Sequence, residues 1–186
     1  MRLFTGIAID EAVTEKLGAA IEALRQAANL RWSPPENLHI TTKFIEEWPE
    51  DRLGELKGAL EAVDPPGDFE INISRFGFFP NARQPRMLYA GVESGPSLAD
   101  LARRIEDAVE GLGCPREERA YMPHVTLARL PRARMDALHE TIASMRNPNF
   151  GSFQANEFHL YESRPGPRGS VYTKLATWPM TRGTRA

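Results

Sequence analysis

Hydrophobic positions along this chain follow two spacings, one typical of strands and one typical of helices. Apolar residues that alternate with polar ones, or form short runs bounded by turn residues, predict seven strands, at 3–9, 37–45, 69–78, 87–92, 123–130, 150–162 and 170–178. Apolar residues that recur every three or four positions predict four amphipathic helices, at 11–28, 50–63, 96–112 and 133–145. Neighbouring strands joined by hairpin-length loops favour antiparallel sheets and an α+β class.

Single residues mark where two of these helices begin or end. Asp10 precedes the first helix and is a predicted N-cap. Pro96 can occupy the first position of the third helix. Proline lacks a backbone N–H, and the N–H groups of a helix's first turn have no partner within the helix in any case. Gly113 is the predicted stop of the same helix.

Two of the predicted strands carry the same polar tripeptide, His-x-Thr. It occurs as His39-Ile40-Thr41 and again as His124-Val125-Thr126, 85 positions later. In extended chain His and Thr project from one face and the middle residue from the other. If the strands are neighbours, two imidazoles and two hydroxyls converge. One copy in each half predicts two pseudo-twofold lobes, interlocked in one domain over 1–186.

Strict alternation also assigns a face to the residues that follow the first tripeptide. Lys43 would share the face of His39, where an ammonium group could meet phosphate. Thr42 and Phe44 would project from the opposite, apolar face. Lys43 is therefore a candidate substrate-binding residue.

The segment around the second tripeptide offers two further candidates. Alternation places Arg129 on the face opposite His124, and a bulge or a strand end would turn it inward. Tyr121, three positions before His124, could stack on a base. We retain both as candidate substrate-binding residues.

Paired histidines and threonines suit acid–base chemistry on a small anion. Histidine has an ordinary pKa of about 6.5, so a neutral ring can take a proton from water while a protonated one gives a proton to a leaving oxygen. Threonine hydroxyls can donate hydrogen bonds to non-bridging phosphate oxygens. A five-membered cyclic phosphodiester is a natural target, and no metal or cofactor is needed. The residues alone leave open which histidine is the acid.

The other two histidines are weaker candidates. His139 falls on a predicted helix, where we expect it at the solvated surface, and His159 alternates with apolar neighbours and could line a sheet face. A zinc site built from His39, His124 and His159 lacks any short-range ligand spacing. We expect no metal.

Composition restricts the class of protein rather than its chemistry. The 186 residues carry a formal net charge of −2, which gives no global attraction to nucleic acid. The charge is uneven, because residues 96–186 carry 13 basic against 10 acidic side chains. One cysteine excludes an internal disulfide. No signal peptide and no transmembrane-length apolar run is evident, so we expect a cytoplasmic monomer without membrane contact.

At these residues the chain resembles the two-histidine (2H) phosphoesterases, and within them the RNA 2′,3′-cyclic phosphodiesterases, also called 2′-5′ RNA ligases (LigT-like). The likeness is carried by five parts of the sequence: 3–8, 32–41 with 43–44, 76–80 with 86–92, 123–129 and 160–163. It extends over nearly the whole chain.

The resemblance implies a bilobal α+β fold with two antiparallel sheets around a central cleft and helices on the outer faces. It implies metal-independent hydrolysis of an RNA 2′,3′-cyclic phosphate end to a 2′-phosphate, with reverse 2′-5′ ligation following from reversibility. His39 would be the proton donor, His124 the proton acceptor, and Thr41 and Thr126 would hold the phosphate. Rival hypotheses are a 2H phosphoesterase for another small cyclic or 2′-5′-linked nucleotide, and a non-catalytic RNA- or nucleotide-binding module.

Two positions depart from the family's pattern. Thr42 stands where the family has an apolar residue, and alternation makes this a matter of packing. Ile45-Glu46-Glu47 replaces the family's Leu-Gly-Glu. The lost glycine is expected to alter the turn that leaves the strand.

Overall fold

The structure, a computed structural model, describes residues 1–132, 135–167 and 169–181. Its strands are β1 (Arg2–Ala8), β2 (Arg31–Trp32), β3 (His39–Glu47), β4 (Phe69–Phe79), β5 (Met87–Glu93), β6 (His124–Arg129), β7 (Asn149–Ala155), β8 (Glu157–Gly166) and β9 (Gly169–Pro179). Its helices are α1 (Glu11–Arg25), α2 (Leu53–Glu61), α3 (Ser97–Glu110) and α4 (Asp136–Ser144). The predicted α+β class is confirmed.

The strands form one antiparallel sheet made of two halves. The order is β7-β4-β5-β6-β3-β1-β8-β9, and the short β2 pairs with β6. Strands β3 and β6 join the halves through a single residue pair, Ile40 with Val125. The junction between the halves is therefore the narrowest part of the sheet, and the division into two interlocked lobes stays a prediction.

Helices cover one face of this sheet and enclose the core. Helices α1 and α4 contact each other, and α1 contacts β7, while α2 and α3 contact each other, and α3 contacts β3. Ile40 and Val125 are fully buried beneath them. The predicted N-cap is confirmed, since Asp10 accepts a hydrogen bond from the Val13 N–H at 2.9 Å. We call the opposite face, which carries the histidines, the motif face.

Two predicted elements differ from the structure, and one short strand was not predicted. The single strand expected at 150–162 is two strands, which separate at Asn156 and pair at opposite ends of the sheet, β7 with β4 and β8 with β1. Strand β2 was not predicted, because two residues carry no periodicity. The last helix begins at Asp136, and 133 and 134 lie outside the described residues. In the described part of the chain, every helix falls short of the length and apolar character that crossing a bilayer requires.

Candidate active site

Strand pairing brings the two His-x-Thr tripeptides together, as the sequence predicts. Ile40 lies opposite Val125 in an antiparallel pair. In that register His39 falls on the side of Thr126, and Thr41 on the side of His124. A pseudo-twofold axis through the central pair therefore relates the two tripeptides.

His39 is held on both ring nitrogens. Its Nδ1 lies 2.7 Å from the Asn37 carbonyl oxygen, and its Nε2 lies 3.0 Å from the Thr41 hydroxyl. A carbonyl only accepts, so Nδ1 carries the proton in the neutral ring and Thr41 donates to Nε2. The ring also packs between Phe4 and Tyr172, at centroid distances of 4.7 and 5.2 Å.

His124 repeats this arrangement in the other half of the sheet. Its Nδ1 lies 2.8 Å from the Met122 carbonyl oxygen, again two residues earlier in the chain. Its ring lies 5.6 Å from that of Tyr89, as His39 lies beside Phe4. In both histidines the backbone occupies Nδ1, so Nε2 is the nitrogen that faces the site, and in His39 it meets the Thr41 hydroxyl of the same tripeptide.

The surroundings of His39 disfavour its charged form. Burial lowers the pKa of His39, the hydrogen bond to the Asn37 carbonyl works in the opposite direction, and the nearby His124 lowers it further. His124 thus acts on the proton affinity of His39. Charging both histidines at once costs free energy, because the two charges repel. The pair is therefore suited to opposite roles in proton transfer, one ring protonated and the other neutral.

Groups from distant segments fix the backbone of both tripeptides. The Tyr121 hydroxyl donates to the Thr41 carbonyl at 2.9 Å, and the Ser33 hydroxyl donates to the Thr126 carbonyl at 2.8 Å. Burial raises the pKa of Tyr121, which keeps its hydroxyl a donor. The Tyr121 hydroxyl is thus committed to the strand that carries the first tripeptide, and base stacking by its ring stays a prediction. The Thr126 hydroxyl points to the Met87 sulfur, 3.2 Å away.

A β-bulge after the first tripeptide overturns the predicted faces. Strand β3 gains one residue against β1 between the Gly6–Thr41 and Thr5–Lys43 pairs, so Thr42 and Lys43 are both buried. Phe44 then lies opposite Phe4 on the motif face and is 52% exposed. The prediction that Lys43 shares a face with His39 is wrong, because the extra residue inverts the alternation.

Lys43 has partners of its own on the helix side of the sheet. Its ammonium group donates to Glu106 of α3 at 2.9 Å and to the Pro115 carbonyl at 2.7 Å. Burial alone would raise the pKa of Glu106, but hydrogen bonds from the Glu117 N–H and from Lys43 lower it. Lys43 is therefore part of a buried ion pair, and the structure does not bring it to the site.

A second bulge, at the equivalent place after His124, turns Arg129 inward. Strand β6 gains one residue between the Tyr89–Thr126 and Leu88–Ala128 pairs. Arg129 then pairs with Met87, whose sulfur accepts from Thr126, so the two residues share the motif face. Alternation alone had placed Arg129 on the other face, and the bulge corrects this. Phe44 and Arg129 thus hold equivalent positions, five residues after each histidine.

The departure at Glu46 has a backbone consequence. A second register shift, where Leu3 pairs with Glu46, leaves this residue at φ 64°, in the left-handed region. Glycine adopts this conformation without cost, whereas a side chain is strained there. Thr42, the other departure, lies on the core side as expected, where its hydroxyl meets that of Thr5 at 2.7 Å.

The remaining two histidines are not part of the tripeptides, although His159 lies opposite Gly6, whose partner on the other side is Thr41. His159 is buried, with Nδ1 2.9 Å from the Thr177 hydroxyl, and burial together with the charge of Lys174 lowers its pKa to about 4. His139 is half-buried against Phe78, rather than solvated as predicted. His39, His124 and His159 do not form a metal-binding group, and no other such group occurs among the described residues.

Several residues of this site could not be found from the sequence. No sequence motif indicates the roles of three of them. Asn37 acts through its backbone carbonyl, Ser33 through its hydroxyl and Met87 through its thioether. Tyr172 reaches His39 only because strand β9 curls back over β1 and β3. The sequence held one signal that could have been used. Phe44 and Arg129 each stand five residues after a tripeptide histidine, which marks them as equivalent positions.

Comparison with known proteins gives consistent matches over most of the chain. A family model described as the 2′-5′ RNA ligase superfamily matches residues 13–167. The RNA 2′,3′-cyclic phosphodiesterase of Methanothermobacter thermautotrophicus is 34% identical, over 94% of this chain and 96% of that protein. The protein of the same name from Archaeoglobus fulgidus is 29% identical, over 94% and 98%.

Solved structures share the fold. TT0787 of Thermus thermophilus superposes with a TM-score of 0.81 at 28% identity, over 97% of this chain and 98% of that one. Escherichia coli LigT in complex with 3′-AMP superposes with a TM-score of 0.79 at 22% identity, over the same shares. The predicted arrangement of helices and antiparallel strands is thus found in both.

Proposed function

Because the chain belongs to the 2′-5′ RNA ligase superfamily, we propose that it hydrolyses RNA 2′,3′-cyclic phosphate ends to 2′-phosphomonoesters. Relatives with the name RNA 2′,3′-cyclic phosphodiesterase, 26–34% identical over most of the chain, support the substrate class. We propose the same enzyme activity for this protein, carried out by its two His-x-Thr tripeptides.

One observation carries the proposal: both histidines are fixed in the same way. Each Nδ1 is bonded to the carbonyl two residues earlier, at 2.7 and 2.8 Å, which sets the tautomer and the ring orientation. A site that only binds an anion has no need of two imidazoles that are both held at Nδ1 by a backbone carbonyl. General acid–base catalysis requires such positioning of both partners.

In the proposed reaction His124 Nε2 takes a proton from water as the water oxygen attacks phosphorus. The bond from phosphorus to O3′ breaks, and protonated His39 delivers a proton from Nε2 to O3′, which leaves the phosphate on O2′. Thr41 and Thr126 hydroxyls donate to the non-bridging oxygens, on which negative charge increases. The bound phosphodiester anion favours the protonated form of His39, opposing the burial that lowers its pKa.

Phe44 and Arg129 complete the proposed substrate contacts. Phe44 presents an exposed ring on the motif face, where a nucleobase can stack. Arg129 presents a guanidinium group beside Met87, within the same row as Thr126, where it can pair with a phosphate oxygen. We propose these roles from position and chemistry.

The test is incubation with a short RNA that ends in a 2′,3′-cyclic phosphate, with EDTA present, and identification of the product by phosphorus NMR. Wild type is expected to form only the 2′-phosphate. His39→Ala and His124→Ala are each expected to lower kcat by at least about 100-fold, the usual contribution of a positioned acid or base, while the Kd for a 2′-phosphate-ended RNA changes little.

The matched control is His159→Asn, which also removes a histidine but keeps a group able to bond Thr177. It is expected to retain turnover at pH 7. Undiminished turnover in both alanine variants would overturn the paired-histidine mechanism. Absence of turnover on RNA and on cyclic mononucleotides, with RNA still bound, would favour the binding module.

A further inference from the structure

The arginines of this protein divide into those that pair with carboxylates and those that do not. In the described ranges, eight form ion pairs. The other seven make no side-chain hydrogen bond or ion pair with a described residue. Five of these gather around the ends of β5 and β6 that lie beside β2, and we call them the arginine patch: Arg31, Arg83, Arg86, Arg129 and Arg132.

Two members of the patch lie directly opposite each other. Arg31 of β2 pairs with Arg129 of β6, and Arg129 pairs in turn with Met87 of β5. Like charges in directly opposed positions destabilise a sheet. No carboxylate of the described chain pairs with either guanidinium. A bound anion would offset this repulsion.

The other three members surround a cavity beyond the end of the site. The cavity has a volume of about 580 Å³ and is lined by Arg83, Arg86 and Arg132, with Asp136 as the acidic residue among its described lining. It adjoins the site along the chain, because Arg86 directly precedes Met87, which contacts Thr126, and the Arg86 carbonyl accepts from the Leu130 N–H, one residue after Arg129. The patch therefore extends from Arg129, at the end of the site, to this neighbouring cavity.

The larger cavity, on the side of Phe44, has the opposite character. Its volume is about 750 Å³, and its wall holds four glutamates: Glu46, Glu47, Glu117 and Glu118. Of its three arginines, Arg52 and Arg116 are already paired with carboxylates. With four glutamates against three arginines, this cavity attracts a polyanion less than the arginine patch does.

We propose that the arginine patch binds the phosphodiester groups of the RNA strand that leads to the cyclic phosphate end. This inference rests on the proposed function for the position of the reacting end. Arginine suits the task because its planar guanidinium group contacts phosphate oxygens in pairs. The patch makes the enzyme selective for oligonucleotides over cyclic mononucleotides, which cannot reach Arg83 or Arg132.

The test compares wild type with the double variant Arg83→Gln/Arg132→Gln and with the matched control Arg146→Gln, which alters an arginine after α4 that has no carboxylate partner among the described residues. The kcat/KM for an eight-nucleotide RNA ending in 2′,3′-cyclic phosphate is divided by that for 2′,3′-cyclic AMP. This ratio is expected to fall about tenfold in the double variant and to be unchanged in Arg146→Gln. The slope of log kcat/KM for the RNA against log salt is expected to become shallower by about 1.4, or 0.7 for each lost contact.

Binding provides a second measurement that does not depend on turnover. Fluorescence anisotropy gives the Kd of the same RNA with a 2′-phosphate end, and the double variant is expected to weaken it about tenfold. If wild type binds this RNA through the patch but turns over neither substrate, the proposed function fails and the patch is supported. An unchanged ratio, slope and Kd would overturn the patch, as would equal losses in Arg146→Gln or tighter binding of an eight-residue glutamate peptide.

Discussion

Acidification should destabilise this protein through one buried histidine. His159 is 1% exposed, lies beside Thr177, and is held neutral because burial and the charge of Lys174 lower its pKa to about 4. In the unfolded chain the same ring has a pKa of about 6.5. Between these values the unfolded state binds a proton that the folded state does not, so stability is lost as the pH falls from about 6.5 toward 4.

The magnitude follows from the two pKa values. Each pH unit in that window costs about 1.4 kcal/mol, so the ring contributes a loss of about 3 kcal/mol once the pH reaches 4. Above about pH 6.5 the ring is neutral in both states and contributes no pH dependence. A loss of this size is a large fraction of the stability of an ordinary domain.

The assay is urea unfolding at pH 7.5 and pH 4.5 for wild type and His159→Asn. Carboxylates destabilise both proteins alike on acidification, so the difference between them isolates His159. Wild type is expected to lose about 2–3 kcal/mol more than the variant between the two pH values. His139→Asn controls for the loss of a histidine as such. Equal losses in wild type and His159→Asn, or an NMR titration midpoint of the His159 ring near 6.5, would refute the reasoning.

Three further predictions concern backbone and packing. Glu46→Gly is expected to stabilise the protein by about 1 kcal/mol in urea unfolding, since φ 64° suits glycine. The control Glu47→Gly is expected to destabilise it, and a stabilising effect of Glu47→Gly would contradict this account. Lys43→Met is expected to cost about 3 kcal/mol, because Glu106 loses its ammonium partner and keeps only the Glu117 N–H and the more distant Arg116. KM is expected to be nearly unchanged, because the ammonium group lies on the helix side, and a large rise in KM would return Lys43 to the site. Gly6→Ala is expected to cost about 1–3 kcal/mol of stability and to lower kcat, because its Cβ would lie 2.7 Å from the Ile40 carbonyl oxygen. If the variant kept both the kcat and the stability of wild type, β1 and β3 would have to separate without cost at this point.

Sequence patterns predicted the site's central residues because alternation holds over short stretches. His39 and Thr41 need only one strand residue between them to share a face, and the same is true of His124 and Thr126. The pairing of Ile40 with Val125 then needs only the burial of two apolar residues. These relations are local, so the order of residues is enough to define them.

Beyond the tripeptides the same rule failed, because a single inserted residue inverts every later face. The bulges that bury Lys43 and turn Arg129 inward are set by how β3 fits β1 and how β6 fits β5. That fit depends on neighbours distant in sequence, such as Glu106, which gives Lys43 a partner on the helix side.

By itself the sequence determined the α+β class, the four helices, the paired tripeptides and their likeness to a family. Only the tertiary structure decided which flanking side chains join the histidines, how each Nδ1 is held, and where the arginines of the patch gather. The physical reason is the range of the interactions involved. Periodicity and capping act within a few residues, whereas register, burial and the field of neighbouring charges exist only once distant strands have come together.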